Sequence, residues 1–242
     1  MKKLAIAILL LPLITNAQET ARKFRFGMKI APAFCWLKPD FKGGSVNFKA
    51  ENDGVNLGFN WGPMLEFNLD ETFLISTGVN LQSVSGLLKG TSQREAGSVY
   101  SWKHEYDARF IELPLMVKGR TREIGHMRYF MQFGLGAGYR YKEDFVLTES
   151  LAAGDNNPKL LGTEAFTTLF RGSMLVGAGA EYNLHGSTSL VGSLTFNNGI
   201  TNFIRNKGIR NHLEGSFPND DFNTVELSSP INFIELNIGV LF

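Results

Sequence analysis

The chain has 242 residues and a net charge of +1, with 24 Lys and Arg against 23 Asp and Glu, a balance that gives no support to nucleic-acid binding. Its one cysteine excludes an intrachain disulfide framework. Hydrophobic residues make up 43% and aromatics 12%, with 26 Gly and 20 Phe; since helix-period patterning is scarce, this composition fits a single β-domain.

Lys2 and Lys3, the apolar run Leu4 to Ile14 and the small-residue site Thr15-Asn16-Ala17 form the pattern of a cleavable secretory signal peptide over residues 1–17. The run is too short for a membrane-spanning helix, and no Cys follows it to carry a lipid anchor. The mature domain is expected over residues 18–242. Beyond residue 17 no stretch of about 18 apolar residues occurs, so a spanning helix is not available there.

Period-two alternation predicts eight strands near 24–35, 54–69, 72–86, 104–119, 128–142, 167–184, 188–201 and 230–242. Each reaches the roughly 9–11 residues that a tilted membrane strand needs. Cys35 reads as a small hydrophobe in the first strand. In the second, Val55, Leu57, Phe59, Trp61, Leu65, Phe67 and Leu69 oppose Asn56, Gly58, Asn60, Gly62 and Glu66. In the fifth, Met131, Phe133, Leu135, Ala137, Tyr139 and Tyr141 oppose Gln132, Gly134, Gly136, Gly138 and Arg140. The sixth sets Phe170, Met174, Val176, Ala178, Ala180 and Tyr182 against Arg171, Ser173, Gly177, Gly179 and Glu181. The last places Ile234, Leu236, Ile238, Val240 and Phe242 on one face, against Glu235, Asn237 and Gly239.

Connections between the strands alternate in length. Asn68 to Glu71, Arg120 to Met127 and Asn183 to Ser187 are short, whereas 36–53, 87–103, 143–166 and 202–229 are long and polar. A bacterial outer-membrane barrel has short periplasmic turns, long external loops, an apolar outer face and a polar interior. The fold expected is therefore an all-β, up-and-down antiparallel transmembrane barrel of about eight strands, with both termini periplasmic. Phe24, Trp61, Phe67, Tyr139, Tyr141 and Tyr182 are placed to form aromatic girdles at strand ends. Ile238, Val240 and Phe242 are expected to serve as a C-terminal signal to the barrel-assembly machinery, and outer-membrane lipid is the expected surroundings.

Charged residues on the polar faces form the first candidate constellation: Arg25, Lys29, Glu66, Glu112, Lys118, Arg140, Arg171, Glu181 and Glu235. Side chains fill the lumen of an eight-stranded barrel, so paired charges would close it; a gated polar pathway is the alternative. A second constellation is the basic turn with Lys118, Arg120, Arg122 and Arg128, which also contains His126. It could anchor lipid headgroups or dock a periplasmic partner.

Catalytic and cofactor signals are weak. A lipid-modifying enzyme would need a nucleophile and base near the outer leaflet, and His104-Glu105 with Ser101 or Ser98, or His212, supply the residue types. Strand alternation sends neighbouring side chains to opposite faces, so no triad is enforced. His126 and His185 fall in periplasmic turns. The glycines of Gly134-Leu135-Gly136-Ala137-Gly138 lack a following helix and are read as thinning the interior. Asp155-Asn156-Asn157 and Asn219-Asp220-Asp221 do not match a calcium-loop spacing. The expectation is a non-enzyme with no cofactor and no metal.

The block from Phe110 to Gly125 (FIELPLMVKGRTREIG), with the continuation Arg128 to Gly136 (RYFMQFGLG), resembles the central signature of PorT-family outer-membrane barrels. The resemblance implies an accessory or structural component related to type IX protein secretion, with secretion-machinery subunits as partners and no catalytic motif to transfer. It also implies that Glu112 to Lys118 fixes the fourth strand, where Pro114 removes one ladder donor and predicts a bulge or bend. Rival expectations are a surface binding or adhesion barrel using 147–166 and 203–221, a small pore, and the lipid-modifying enzyme.

Overall fold

Alternation of apolar and polar residues is resolved here into a cylinder rather than a sandwich. A computed structural model describes residues 23–42, 48–93, 99–151, 157–159, 167–204 and 226–242. The signal peptide (1–17), Ser98, His212, Asp155-Asn156 and Asn219-Asp220-Asp221 lie outside the described residues, as do most of the two candidate recognition loops. In chain order the strands are β1 (Phe24–Leu37), β2 (Asp40–Lys42), β3 (Phe48–Asn52), β4 (Asn56–Asn68), β5 (Phe73–Gly78), β6 (Asn80–Gln93), β7 (Val99–Arg120), β8 (Met127–Leu151), β9 (Asn157–Lys159), β10 (Phe170–His185), β11 (Thr188–Gly199), β12 (Glu226–Ser228) and β13 (Ile231–Leu241).

Eight staves close the ring: β1, β4, β5 continued by β6, β7, β8, β10, β11 and β13. Every pairing between them is antiparallel, and β13 returns to β1 with Met28 opposite Val240 and Ile30 opposite Ile238. The break at Val79 between β5 and β6 leaves the register unshifted, with Met64 opposite Gly78 and Trp61 opposite Leu81 on its two flanks. Closure removes the open edges that a flat sheet would expose.

Three short turns cluster at one end of the staves. In the first, the Asp70 carboxylate accepts the N–H groups of Thr72 and Phe73, both at 2.6 Å. Those two donors, Phe73 foremost, hold its carboxyl below the usual range. The other two end in Gly125 and Gly186, at φ +66° and +60°, where a tight hairpin needs a left-handed residue. Ile124 and Met127 exchange backbone bonds of 2.8 and 3.2 Å across the tip at Gly125.

At the other end, two expectations are corrected. Much of 87–103 and 143–166, expected as loop, is strand: β6, β7 and β8 pair out to Gln93, Val99 and Leu151. Period-two alternation continues there in charged residues, so the staves outrun the apolar belt. Pro114 sits in regular register opposite Gly136, with its carbonyl taking the Thr77 hydroxyl at 2.7 Å. The bulge lies instead between Arg109 and Phe110, where Tyr141 is the extra residue on β8.

Direction of the apolar face decides between a soluble and a membrane barrel. Leu57, Met131 and Leu115 are 75%, 70% and 62% exposed on the outside, whereas Glu66, Lys118 and Glu112 are 2%, 2% and 0% exposed within. A soluble barrel would invert this; a lipid-facing one requires it. Aromatic pairs mark the belt's margins: Phe24 with Phe67 (ring centroids 5.2 Å) and Phe26 with Phe242 (5.5 Å) at the turn end, Tyr139 with Phe170 (5.6 Å) at the loop end. Trp61, expected at a strand end, stands in the middle of β4 and faces the belt itself.

Candidate functional site: the barrel lumen and its rims

Inward positions on the eight staves bring the predicted charges together in separate clusters. Nearest the turns, Arg25 lies opposite Glu66 in the β1–β4 register and bonds it directly. Arg25 also reaches Glu181 at 3.1 Å, while Lys118 donates to Glu66 at 2.7 Å and to Glu181. Lys118 further rests over the Phe130 ring, 3.8 Å from its centroid. Two cations thus meet two carboxylates from four staves, and none of the four is left unpaired in the interior.

Further in, Lys29 approaches Glu235 at 3.7 Å and donates to Asn237 at 3.1 Å, while Asn60 donates to the other oxygen of Glu235 at 2.7 Å. The next cluster centres on Glu112. It accepts from Arg171 at 3.0 Å, Gln82 at 2.8 Å, Ser173 at 3.1 Å and Asn197 at 3.3 Å. Gly136 makes room for it: a Cβ there would stand 2.5 Å from Ser173 Oγ and 2.9 Å from the Glu112 carboxylate. Arg140 lies farther out, bonded to Glu143 and to the Thr167 carbonyl. Between the first and third clusters is a cavity of about 30 Å³ lined by Lys29, Met64, Glu66, Asn80, Lys118 and Asn237. That is room for one or two water molecules.

The loop end of the lumen holds a cluster that sequence reasoning missed. Leu37, Val84, Leu88, Tyr106, Phe110, Phe145, Phe203, Ile231 and Phe233 are buried there as an apolar plug. Tyr106 packs against Phe145 (4.9 Å) and Phe203 (6.4 Å), and Phe233 lies beneath the Arg171 guanidinium at 4.9 Å. Its signal was present: Phe34-Cys35-Trp36-Leu37 and Phe233-Ile234 are apolar on both faces, where a belt strand should be apolar on one. The Tyr141 bulge adds Phe145 to the plug by changing which residues of β8 face inward.

The basic turn is smaller than expected. Lys118 belongs wholly to the interior, and Arg120 also turns inward, its Nε donating to the Glu71 carbonyl at 3.2 Å. Even-numbered residues of β7 from His104 to Arg120 are buried toward the lumen, and these two follow that period. Arg122 remains exposed, and Arg128 pairs with Glu123 at 2.9 Å. Ile238 faces outward, Val240 pairs with Met28, and the Phe242 N–H donates to the Phe26 carbonyl at 2.8 Å. His104 points into the plug with its Nδ1 3.1 Å from the Tyr106 hydroxyl, while Ser101 and Glu105 face outward. A triad of these residues is therefore not assembled.

A closed antiparallel barrel with an apolar exterior and buried, paired interior charges defines a transmembrane β-barrel of the outer-membrane type. The chain belongs to the outer membrane protein beta-barrel domain family, whose pattern matches residues 16–205. Among solved structures it is similar to neisserial surface protein A (NspA), at 11% identity over 92% of this chain and 98% of that one, with a TM-score of 0.44. It is also similar to OprG from Pseudomonas aeruginosa, at 9% identity over 90% and 95% of the two chains, TM-score 0.47. A third is Ail of Yersinia pestis, at 12% identity over 91% and 100%, TM-score 0.33. No curated protein matches this chain.

Proposed function

We propose that this outer-membrane barrel is non-conducting and non-enzymatic, and that it acts through its rims as a PorT-like accessory or structural component of protein secretion or envelope assembly. One observation carries the reading: among the described residues, paired charges and apolar side chains occupy the lumen from the Arg25–Lys118 cluster to the Phe110–Phe233 plug, with a cavity of about 30 Å³ between the charge clusters. A barrel with such an interior offers a partner its turns and its loops. In this reading the termini and short turns face the periplasm, the exposed Arg122 and the half-buried Arg128 are what the basic turn offers a partner, and β13 presents Ile238, Val240 and Phe242 to the assembly machinery.

The test is a pair of measurements. Reconstituted in planar bilayers, the wild-type barrel should show almost no reproducible single-channel conductance; steady openings would remove the sealed-lumen reading. A mild-detergent pull-down from native membranes should recover secretion-machinery subunits, and Arg122→Glu with Arg128→Glu should lose them while the barrel still inserts. A second reading, a surface binding barrel, is favoured by the charged extension of β6, β7 and β8, where Asp53 braces Lys103 at 2.8 Å and Lys89 at 3.2 Å. Recovery of the barrel alone would move the search to that sheet.

A further inference from the structure

The bulge in β8 places two cations side by side on the outer wall. Along β7 the outward row runs Val117, Leu115, Leu113, Ile111 and then Arg109; along β8 it runs Phe133, Leu135, Ala137, Tyr139, Tyr141 and then Lys142. Arg109 and Lys142 are direct cross-strand partners, and both are exposed. Directly opposed residues have Cβ atoms roughly 4.5–5.5 Å apart, and like charges so placed repel. Without Tyr141 as the extra residue, Lys142 would keep the inward parity of Arg140 and the pair would not exist. A local irregularity thus creates an electrostatic conflict on the outer wall.

Depth gives the conflict a purpose. Arg109 lies twelve residues before Thr121, at the turn end of β7. At about 3.3 Å per residue and a tilt near 40°, this is roughly 30 Å along the axis, about one hydrocarbon thickness. The pair therefore stands where lipid headgroups begin, directly beyond Ile111 and the Tyr139–Phe170 ring pair. Ser83, exposed and opposite Arg109 on β6, adds a hydroxyl to the same row. On the outer face the neighbouring acids are Asp107 and Asp144, which oppose each other one outward row farther from the belt, while Glu143 is turned to Arg140. Asp144 takes one Lys142 contact at 3.1 Å, a surface pair of little worth that an anion can displace.

We propose that Arg109 and Lys142, with Ser83, form a binding site for the phosphate of a phosphorylated lipid in the leaflet surrounding the loop end. The fork of Arg109 takes two phosphate oxygens, the Lys142 ammonium takes the charge, and the lipid's chains lie along Ile111, Leu113 and Leu135. Binding relieves the repulsion that the bulge creates. The leaflet's name depends on the orientation proposed above; the site itself does not, so its failure and that of the orientation are separable.

The experiment uses the folded barrel in detergent micelles, with diphosphorylated lipid A titrated in and retained lipid counted by native mass spectrometry. Wild type should retain it at concentrations about a hundredfold below Arg109→Gln/Lys142→Gln, since each of the two cations supplies about a tenfold gain in affinity through its charge-assisted hydrogen bonds. Lipid A stripped of its phosphates should bind both proteins alike and weakly. Millimolar inorganic phosphate should not displace the lipid. Equal retention of lipid A by the variant, tight binding of the dephosphorylated lipid, or ready displacement by inorganic phosphate would each overturn the proposal. The phosphate-stripping comparison needs no variant, so it stands even if the double substitution were to refold poorly.

Discussion

Lys118→Met is the sharpest perturbation of the sealed lumen. It keeps the length and bulk of the side chain and its packing on Phe130, but removes the cation that faces Glu66 and Glu181. Arg25 then stands alone between two buried carboxylates, and the four-residue cluster changes from neutral to a net single negative charge. Removing one partner of a buried pair costs about 3–5 kcal/mol. Since Arg25 still donates to both carboxylates, the lower end applies, about 3 kcal/mol. With a urea slope of about 2–3 kcal/mol per molar, the unfolding midpoint should fall by roughly 1–1.5 M. The assay is urea unfolding of the refolded barrel in detergent, followed by tryptophan fluorescence and by heat-modifiable migration on gels. Adding Glu181→Gln restores neutrality and should recover at least half of the loss. A single variant indistinguishable from wild type, or a double variant no better than the single, would show that this cluster does not hold the staves together.

Other expectations follow from the same interior. Gly136→Ala introduces a methyl 2.5 Å from Ser173 Oγ and 2.9 Å from the Glu112 carboxylate, so the barrel should lose about 1–3 kcal/mol in the same urea assay; an unchanged midpoint would mean that the Glu112 cluster yields freely. Phe110→Ala, which empties the plug beside Phe203, should lose about 3 kcal/mol, and a loss under about 1 kcal/mol would show a plug that collapses around the gap. Asp70 gives a pH signature. Its folded carboxyl titrates below the unfolded one, so its contribution is present above the ordinary carboxylate range and lost as pH falls through the folded value. The midpoint difference between wild type and Asp70→Asn should therefore be full near neutral pH and close in acid; a difference constant with pH would refute the role of its charge.

How far the sequence led depended on whether one physical signal was sufficient. Strand position was legible because lipid outside and charge inside impose alternation residue by residue: 128–142 and 188–201 lie almost where Met127–Leu151 and Thr188–Gly199 begin and proceed. Pairing partners within the lumen were not legible. Which carboxylate Lys118 meets depends on barrel shear, which joins Glu66 of β4 to Glu181 of β10 across the interior. Parity alone would have moved Lys118 and Arg120 out of the basic turn, since Glu112, Lys118 and Arg120 are all even-numbered on one stave. The bulge at Tyr141 was not legible because it carries no glycine, and an aromatic followed by Lys looks like the natural end of a belt strand. The plug was not legible because Leu37, Leu88, Phe145 and Phe203 fall in 36–53, 87–103, 143–166 and 202–229, the stretches whose length and polarity mark them as loops.

The segment that carries the PorT resemblance acquires a structural meaning from these interactions. Glu112, Pro114, Met116 and Lys118 occupy four successive inward positions of β7. Its two charges end up in different clusters: Glu112 gathers Arg171, Gln82, Ser173 and Asn197, while Lys118 bridges Glu66 and Glu181. Met116 lies between them at the cavity wall, where its flexible thioether fills space without demanding a partner. The intervening Leu113, Leu115 and Val117 face lipid. One short stretch therefore supplies the belt on one side and the struts of two cross-barrel networks on the other. A motif with that work is expected wherever a barrel of this kind must be closed, whatever its partners. It speaks to how the cylinder is sealed, and a secretion role must be sought on surfaces the seal does not use. That argues for placing charge reversals at Arg122 and Arg128, where failure of export with an intact barrel can be separated from failure of the barrel.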